Sequence, residues 1–405
     1  MNMEQAFSGI KVLAVARVVA APFAAYQLAL HGADVVTIED PKEGDSARRA
    51  GDFGTAFLKL NMARTFLSYN SNKRSITLAL NTPEGQETFR KMAAKADIVI
   101  ENLKGGTMAR YGIGYEDLKK INPRIIFASV TGYGQTGPKK SDPAIDGVIQ
   151  AVSGMMSITG TQDTGPLKTG STIIDYTTGY ATAFALATAL FHRTRTGVGQ
   201  AIDVAMLETA ITMMSGEVVR AITSNETPPL VGNGSGKGGY VSNTYPCKEG
   251  YLSIAAGAAP RREKLWKAMN REDIPKDPRF VNDEAALANI KQLDEEIVRT
   301  LSERTALEWE AIMNKGGVAA MAVLQLADAV HHPQLKAREF FHAFPEDAQP
   351  GLPAFAVPKA SYRMSGNPAT VKSPPPRHGQ HTEEVLADYG FSAEEIAKLR
   401  GNGTL

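Results

Sequence analysis

Among 405 residues there is one cysteine, Cys247. A single thiol closes no intrachain disulfide, which fits a reducing compartment, and it excludes a cysteine-based zinc site. The seven histidines are scattered, with only His331 and His332 adjacent. No HExxH or CxxC spacing occurs, so no metal is expected. An excess of one charge is also missing: the formal net charge is +1, and no Lys/Arg run interleaves with aromatics. Neither nucleic acid nor a membrane surface is therefore an expected partner. The apolar-looking start, residues 1–35, is broken by Lys11, Arg17, Pro22 and His31. It lacks the uninterrupted run of a membrane span or a secretory signal, and a cytoplasmic location is expected. What is present is an ordinary globular composition, 43% hydrophobic and 21% charged, long enough to bury a large core.

Residues 10–16, IKVLAVA, suit a buried strand. APFAAYQLALHG follows as a helix with Pro22 early and Gly32 beyond its end, and ADVVTIED is a second strand. That is a βαβ unit on a parallel sheet. The alternation continues with strands SITLAL, DIVIENL and RIIFASVTGYG, a helix from Thr82 as N-cap, and a short helix GYEDLKKINP. AIDGVIQAVSGMM, TTGYATAFALATALFHRT and AIDVAMLETAITMM read as three apolar helices, the second stopping at Gly197. Residues 225–250 are rich in Pro, Gly, Ser and Asn and read as a loop or boundary. Beyond them come a strand, YLSIAAG, and amphipathic helices of a smaller domain. The tail, residues 381–399, is helical again.

GSGKGG, residues 234–239, matches GxGxxG but neither follows a strand nor opens a helix, so a loop over an active site is the better reading. The first βα turn, RVVAAP, has no glycine, which argues against a nicotinamide cofactor. Lys73 and Arg74 precede a strand, where they would meet a phosphate or lie solvated in a charged turn. Arg110 lies among glycines, where backbone approaches a ligand closely, although a surface role is the commoner one. Asn102 follows a strand at its carboxyl end, where open parallel sheets bind ligands. Asp146 and Asp175 each head an apolar helix, and by pattern alone each reads as an N-cap. Against capping for Asp175 stand the small residues around Gly170 and the free-energy cost of carrying an acid into apolar surroundings. No Ser-His-Asp or Cys-His arrangement is legible, and a carboxylate acting alone does nucleophilic work.

The chain resembles the class III CoA-transferases, the family of formyl-CoA transferase and carnitine CoA-transferase that also holds α-methylacyl-CoA racemase. The likeness covers nearly the whole chain: GIKVLAVARVVAAPFAAYQLALHGADVVTIED, GDSARR, NSNKRSITLALNTPEG, DIVIENLKGG, NPRIIFASVTGYGQTGP, GSTIIDYTTGYATAFALATALFHRTRTGVGQAIDVAMLE, HPQLKAREFF and HGQHTEEVLADYG. It implies that Asp175 is the nucleophile attacking an acyl-CoA thioester and that Asp146 lines the active site. By position it implies coenzyme A contacts at Val19, Ala20, Leu78, Asn81, Asn102, Leu103, Lys104 and Arg110. Gly236, Gly238 and Gly239 fall in the family's shielding glycine loop. CoA esters are then substrates, and no permanently bound cofactor is expected. The fold implied is α/β: a Rossmann-like large domain with a parallel sheet and a smaller α+β domain, in an interlocked homodimer. The large CoA-binding domain would begin with residues 1–200. A linker helix and Gly-rich loop would occupy 201–245 and the small domain 246–330, and 331–405 would link back to the large domain.

Departures from the family narrow the activity. Formyl-CoA transferase has glutamine where this chain has Val19, a basic residue at Asp40 and a lysine at Asn81, which argues against oxalate or formate as the acid. The racemase branch has histidine where this chain has Ile145, and without a second base α-proton exchange is hard to run. The expected activity is CoA transfer from an acyl-CoA donor, with succinyl-CoA as a candidate, to a small organic carboxylic acid. An acyl-CoA racemase or epimerase and a non-catalytic CoA-binding protein are the alternatives.

Overall fold

A computed structural model describes residues 5–51, 53–234 and 240–405. The chain forms two compact units, the first from Met1–Ser153, Thr169–Ser215 and Gln334–Leu405, the second from Gly154–Lys168 and Gly216–Pro333.

The first unit opens with β1 (Lys11–Val15), α1 (Ala20–Ala29) and β2 (Asp34–Glu39). It continues through β3 (Lys73–Thr77), α2 (Pro83–Ala93), β4 (Ile98–Glu101), α3 (Tyr115–Ile121) and β5 (Ile126–Thr131). Then follow α4 (Asp146–Val152), α5 (Ile173–Thr196), β6 (Ala201–Ala205) and α6 (Met206–Met213). The six strands lie in the order β3-β2-β1-β4-β5-β6, all parallel. Both faces of this sheet are covered, so its strands are almost continuously apolar. Leu13, Val36, Ile76 and Val99 pack against Phe89 and Met92 of α2 on one face. Val12, Val35, Ile98 and Ile100 pack against Ala25 and Leu28 of α1 and Leu186 of α5 on the other. The strand order reverses between β1 and β4, which leaves a crevice at the carboxyl ends of those two strands.

Local chemistry sets the boundaries. Thr82 caps α2, its hydroxyl accepting from Gly85 N–H at 3.1 Å, and Pro83 fits the first turn. Helix α5 stops at Gly197, whose φ of +75° suits a residue without a Cβ. Residues 201–205 are not helical, contrary to the reading from apolar spacing. They pair with β5 from Phe127 to Thr131, because β5 otherwise has an open edge and AIDVA carries β-branched residues at alternate positions. Strand β3 begins two residues earlier than expected, at Lys73, which draws both charged residues into the sheet.

The second unit holds β7 (Ser242–Pro246), β8 (Tyr251–Ala255), α7 (Ala259–Ala268), α8 (Ile290–Leu301), α9 (Ala306–Lys315) and β9 (Ala320–Ala322). The sheet β9-β8-β7 is antiparallel and packs one face, through Leu252 and Ile254, on Trp266, Trp309 and Ile297. Strand β7 lies within the stretch expected to be loop. Its pairing with β8, from Ser242 opposite Ala255 to Pro246 opposite Tyr251, overrides the turn-rich composition.

The chain then returns to the first unit with α10 (Thr382–Asp388) and α11 (Ala393–Gly401). Ser75 donates its N–H to His381 Nδ1 and accepts from His381 N–H, and Thr77 N–H donates to the Thr382 hydroxyl. These bonds cover the outer edge of β3. Among the described residues no helix is long and apolar enough to cross a membrane.

Candidate active site

Asp175 is the third residue of α5, not its N-cap; that place belongs to Thr172, whose side chain caps nothing. The cap comes from another helix. Asp146, buried at 5% exposure, accepts the N–H groups of Ile174 and Asp175 on one carboxylate oxygen, at 2.7 and 3.1 Å. Asp146 does not cap its own helix either, since Ile145 holds that position. One turn along α4, on the same face, Gln150 donates to the other Asp146 oxygen at 2.5 Å. Gln150 is fixed in turn by Thr169, donating to its hydroxyl and accepting from its N–H. This chain of bonds sets the first turn of α5 and with it the Asp175 side chain.

Burial raises the Asp175 carboxyl to about 6, and the nearby Asp146 charge adds to the rise. The more basic carboxylate is the stronger nucleophile and is still mostly ionised near neutral pH. Around it, Tyr176 stacks edge-on against Phe23 at 5.0 Å. A Cβ placed on Gly170, five residues before Asp175 in the chain, would meet no atom within 4 Å.

At the β1/β4 crevice, the Asn102 side chain bridges the two strand ends, accepting from Arg17 N–H at 2.9 Å and donating to Arg17 C=O at 2.8 Å. Asn102, Leu103 and Lys104 line a cleft of about 410 Å³ with Tyr133 and Lys140 from the segment after β5. Leu78, Asn81 and Arg110 are not among its lining residues. Leu78 is buried in the core beneath the sheet, Asn81 is exposed, and Arg110 is exposed and bonded to Thr107. Val19 and Ala20 are each 5% exposed, and the Val19 C=O accepts from Phe23 N–H at 2.8 Å. Gly236, Gly238 and Gly239 lie outside the described residues.

Lys73 and Arg74 are neither phosphate ligands nor a solvated turn. Lys73 is buried, donates to Pro22 C=O and Asn70 Oδ1, and is lowered by burial to about 7. Arg74 pairs with Asp34, Glu384 and Asp388 and ties α10 to the sheet. Sequence reasoning does not single out Gln150, Asp45 or Tyr69. Only Gln150 leaves a trace there, four residues after Asp146 on one helix.

The model of CoA-transferase family III matches residues 7–382. The chain is 32% identical to the succinate–glutarate CoA-transferase of Agrobacterium fabrum, covering 96% of each protein. It is 33% identical to the succinyl-CoA–L-malate CoA-transferase beta subunit of Chloroflexus aurantiacus, covering 97% of this chain and 96% of that one. Among solved structures, a CAIB/BAIF family protein from Brucella suis superposes with a TM-score of 0.85 at 32% identity, over 95% of this chain and all of that one.

Proposed function

Because the chain belongs to CoA-transferase family III and is a transferase enzyme, we propose that it moves CoA from an acyl-CoA donor, succinyl-CoA, to a small carboxylic acid through a covalent intermediate on Asp175. The observation that carries this reading is the placing of Asp175: a half-buried carboxylate, raised to about 6, oriented by a second acid rather than by a histidine. Curated relatives named for succinate or succinyl-CoA with glutarate and malate support the choice of donor and favour a dicarboxylic acceptor.

In the proposed cycle an Asp175 oxygen attacks the thioester carbonyl, the C–S bond breaks, and CoA thiolate leaves a mixed anhydride. The thiolate attacks the Asp175 carbonyl and expels the donor carboxylate, which leaves an aspartyl thioester. The acceptor carboxylate displaces the thiolate to form a second anhydride. The thiolate then takes the acceptor acyl group and frees Asp175. The cleft at Asn102, Leu103 and Lys104 is the proposed place for CoA, at the carboxyl ends of the strands where such sheets bind ligands. Ile145, 70% exposed, supplies no base for α-proton exchange, which disfavours the racemase reading. A homodimer belongs to the same proposal: Tyr180, Phe184 and Phe191 leave an apolar stripe exposed along α5.

The test is mass spectrometry of the intact protein mixed with succinyl-CoA and hydroxylamine. A hydroxamate mapped to Asp175, absent in Asp175→Ala, is the expected result. No adduct from a panel of acyl-CoA donors, or transfer retained in Asp175→Ala, overturns the proposal.

A further inference from the structure

Between β1 and α1 the chain passes through Val18 at φ +68°. A β-branched residue there is a steric outlier and persists only where its surroundings impose the conformation. Those surroundings can be named. Val18 N–H donates to Asp45 Oδ1 at 3.0 Å, and Val18 C=O accepts from the Tyr69 hydroxyl. Arg17, just before it, has both backbone groups taken by Asn102. Every backbone polar group of the two residues is thus held by a side chain from elsewhere in the first unit.

The holders are themselves fixed. Asp45 is 2% exposed, donates its own N–H to Glu39 Oε2 and accepts from Ala47 N–H. Glu39 forms a fully buried pair with Arg48, whose guanidinium stacks 3.8 Å from the Phe66 ring centre. Tyr69 is 1% exposed and shares with Val19 a buried cluster against which Phe23 and Tyr176, the neighbour of Asp175, also pack. Burial raises the Tyr69 phenol most, Asp45 and Tyr176 raise it further, and the Asp175 charge adds the smallest share, so the holder of the turn and the acid lie within electrostatic reach.

We infer that Tyr69 and Asp45 are positioning residues for the transfer reaction: they hold Val18 in the left-handed conformation that aims the β1–α1 turn, and the backbone of Val19 and Ala20 beyond it, toward the Asp175 site. This rests on the Asp175 reading above. Neither residue need touch substrate. Their effect on rate passes through the backbone of Val18.

That route makes a specific demand. Glycine takes a positive φ without strain, so Val18→Gly reduces the need for a clamp. A double-mutant cycle reads the coupling. With succinyl-CoA as donor and glutarate as acceptor, Tyr69→Phe in the wild-type background should lower kcat/KM about tenfold, the weight of one buried hydrogen bond. In the Val18→Gly background the same change should lower it less than about threefold. An equal loss in both backgrounds would mean that Tyr69 acts on substrate or on stability, and the inference fails. No loss in either also sinks it. Thermal melting of all four proteins separates a rate effect from unfolding. Should Tyr69→Phe not fold, Asp45→Ala, which removes the acceptor of the Val18 N–H, replaces it in the cycle. Failure here with Asp175→Ala still inactive leaves the proposed function standing; activity in Asp175→Ala removes that instead.

Discussion

Asp146→Asn separates two contributions that the wild-type protein combines. In the structure Asp146 both caps α5 and places a negative charge beside Asp175. Asparagine keeps an oxygen able to accept the two N–H groups but removes the charge. Its amide also faces the Gln150 amide, so Gln150 must turn over and give up its bond from Thr169 N–H. The Asp175 carboxyl stands about two units above its ordinary value (about 6 against 3.8), with burial the larger cause and Asp146 the smaller. Removing the smaller cause should therefore lower it by less than about one unit, or under ~1.4 kcal/mol between its protonation states. The reaction needs the ionised acid, so kcat/KM rises with pH through its titration. In Asp146→Asn that rise should shift to lower pH by less than one unit, and the plateau should fall because a less basic carboxylate attacks less readily. The assay is a pH–rate profile from 4 to 8 with succinyl-CoA, variant against wild type, so that titration of the acceptor acid cancels. A limb that does not move, or moves to higher pH, would falsify the claim that Asp146 tunes the nucleophile.

Two further predictions concern stability. A Cβ on Gly179 would lie 2.8 Å from Ala20 O and 2.8 Å from Phe23 Cδ1, and backbone cannot yield there. Gly179→Ala should push α5 from α1 and cost about 1–3 kcal/mol in a denaturant melt; an unchanged midpoint would show that the helices tolerate separation. Arg48→Met leaves Glu39 buried without its cation and should cost about 3–5 kcal/mol. Burial pushes Glu39 up, but Arg48, Ser75 and the Asp45 N–H outweigh it, and the net direction is down. The wild-type contribution is thus present above the ordinary glutamate range and is lost as pH falls through the folded value. In Arg48→Met only burial and the weaker bonds remain, the direction reverses, and acidification toward pH 5 should narrow the gap to wild type in a melt; a gap that widens refutes the pairing argument.

The strands of the large sheet were legible because both of its faces are covered, which makes each of them an apolar run. Residues 201–205 were not, since AIDVA fits a helix and a strand equally and only the open edge of β5 decides. The acids at 146 and 175 stood out as helix-heading residues, but capping reads locally and the true cap reaches across 28 residues, from Asp146 to Ile174. Lys73 read as a phosphate contact or as part of a solvated turn because burial leaves no mark on a charged letter. The clamp on Val18 has no linear signature: Asp45 and Tyr69 come from 27 and 51 residues away, and the strain exists only once they arrive.

The order of the chain has a consequence for synthesis. When residue 333 has left the ribosome, all of the second unit is available, whereas the first still lacks its last segment. Until His381 and Thr382 emerge, β3 carries unpaired N–H groups along its outer side, and Val385, Leu386 and Tyr389 are missing from the core beneath the sheet. The unit that holds Asp175 is therefore completed only after the second one, with its sheet edge open to other chains for most of translation.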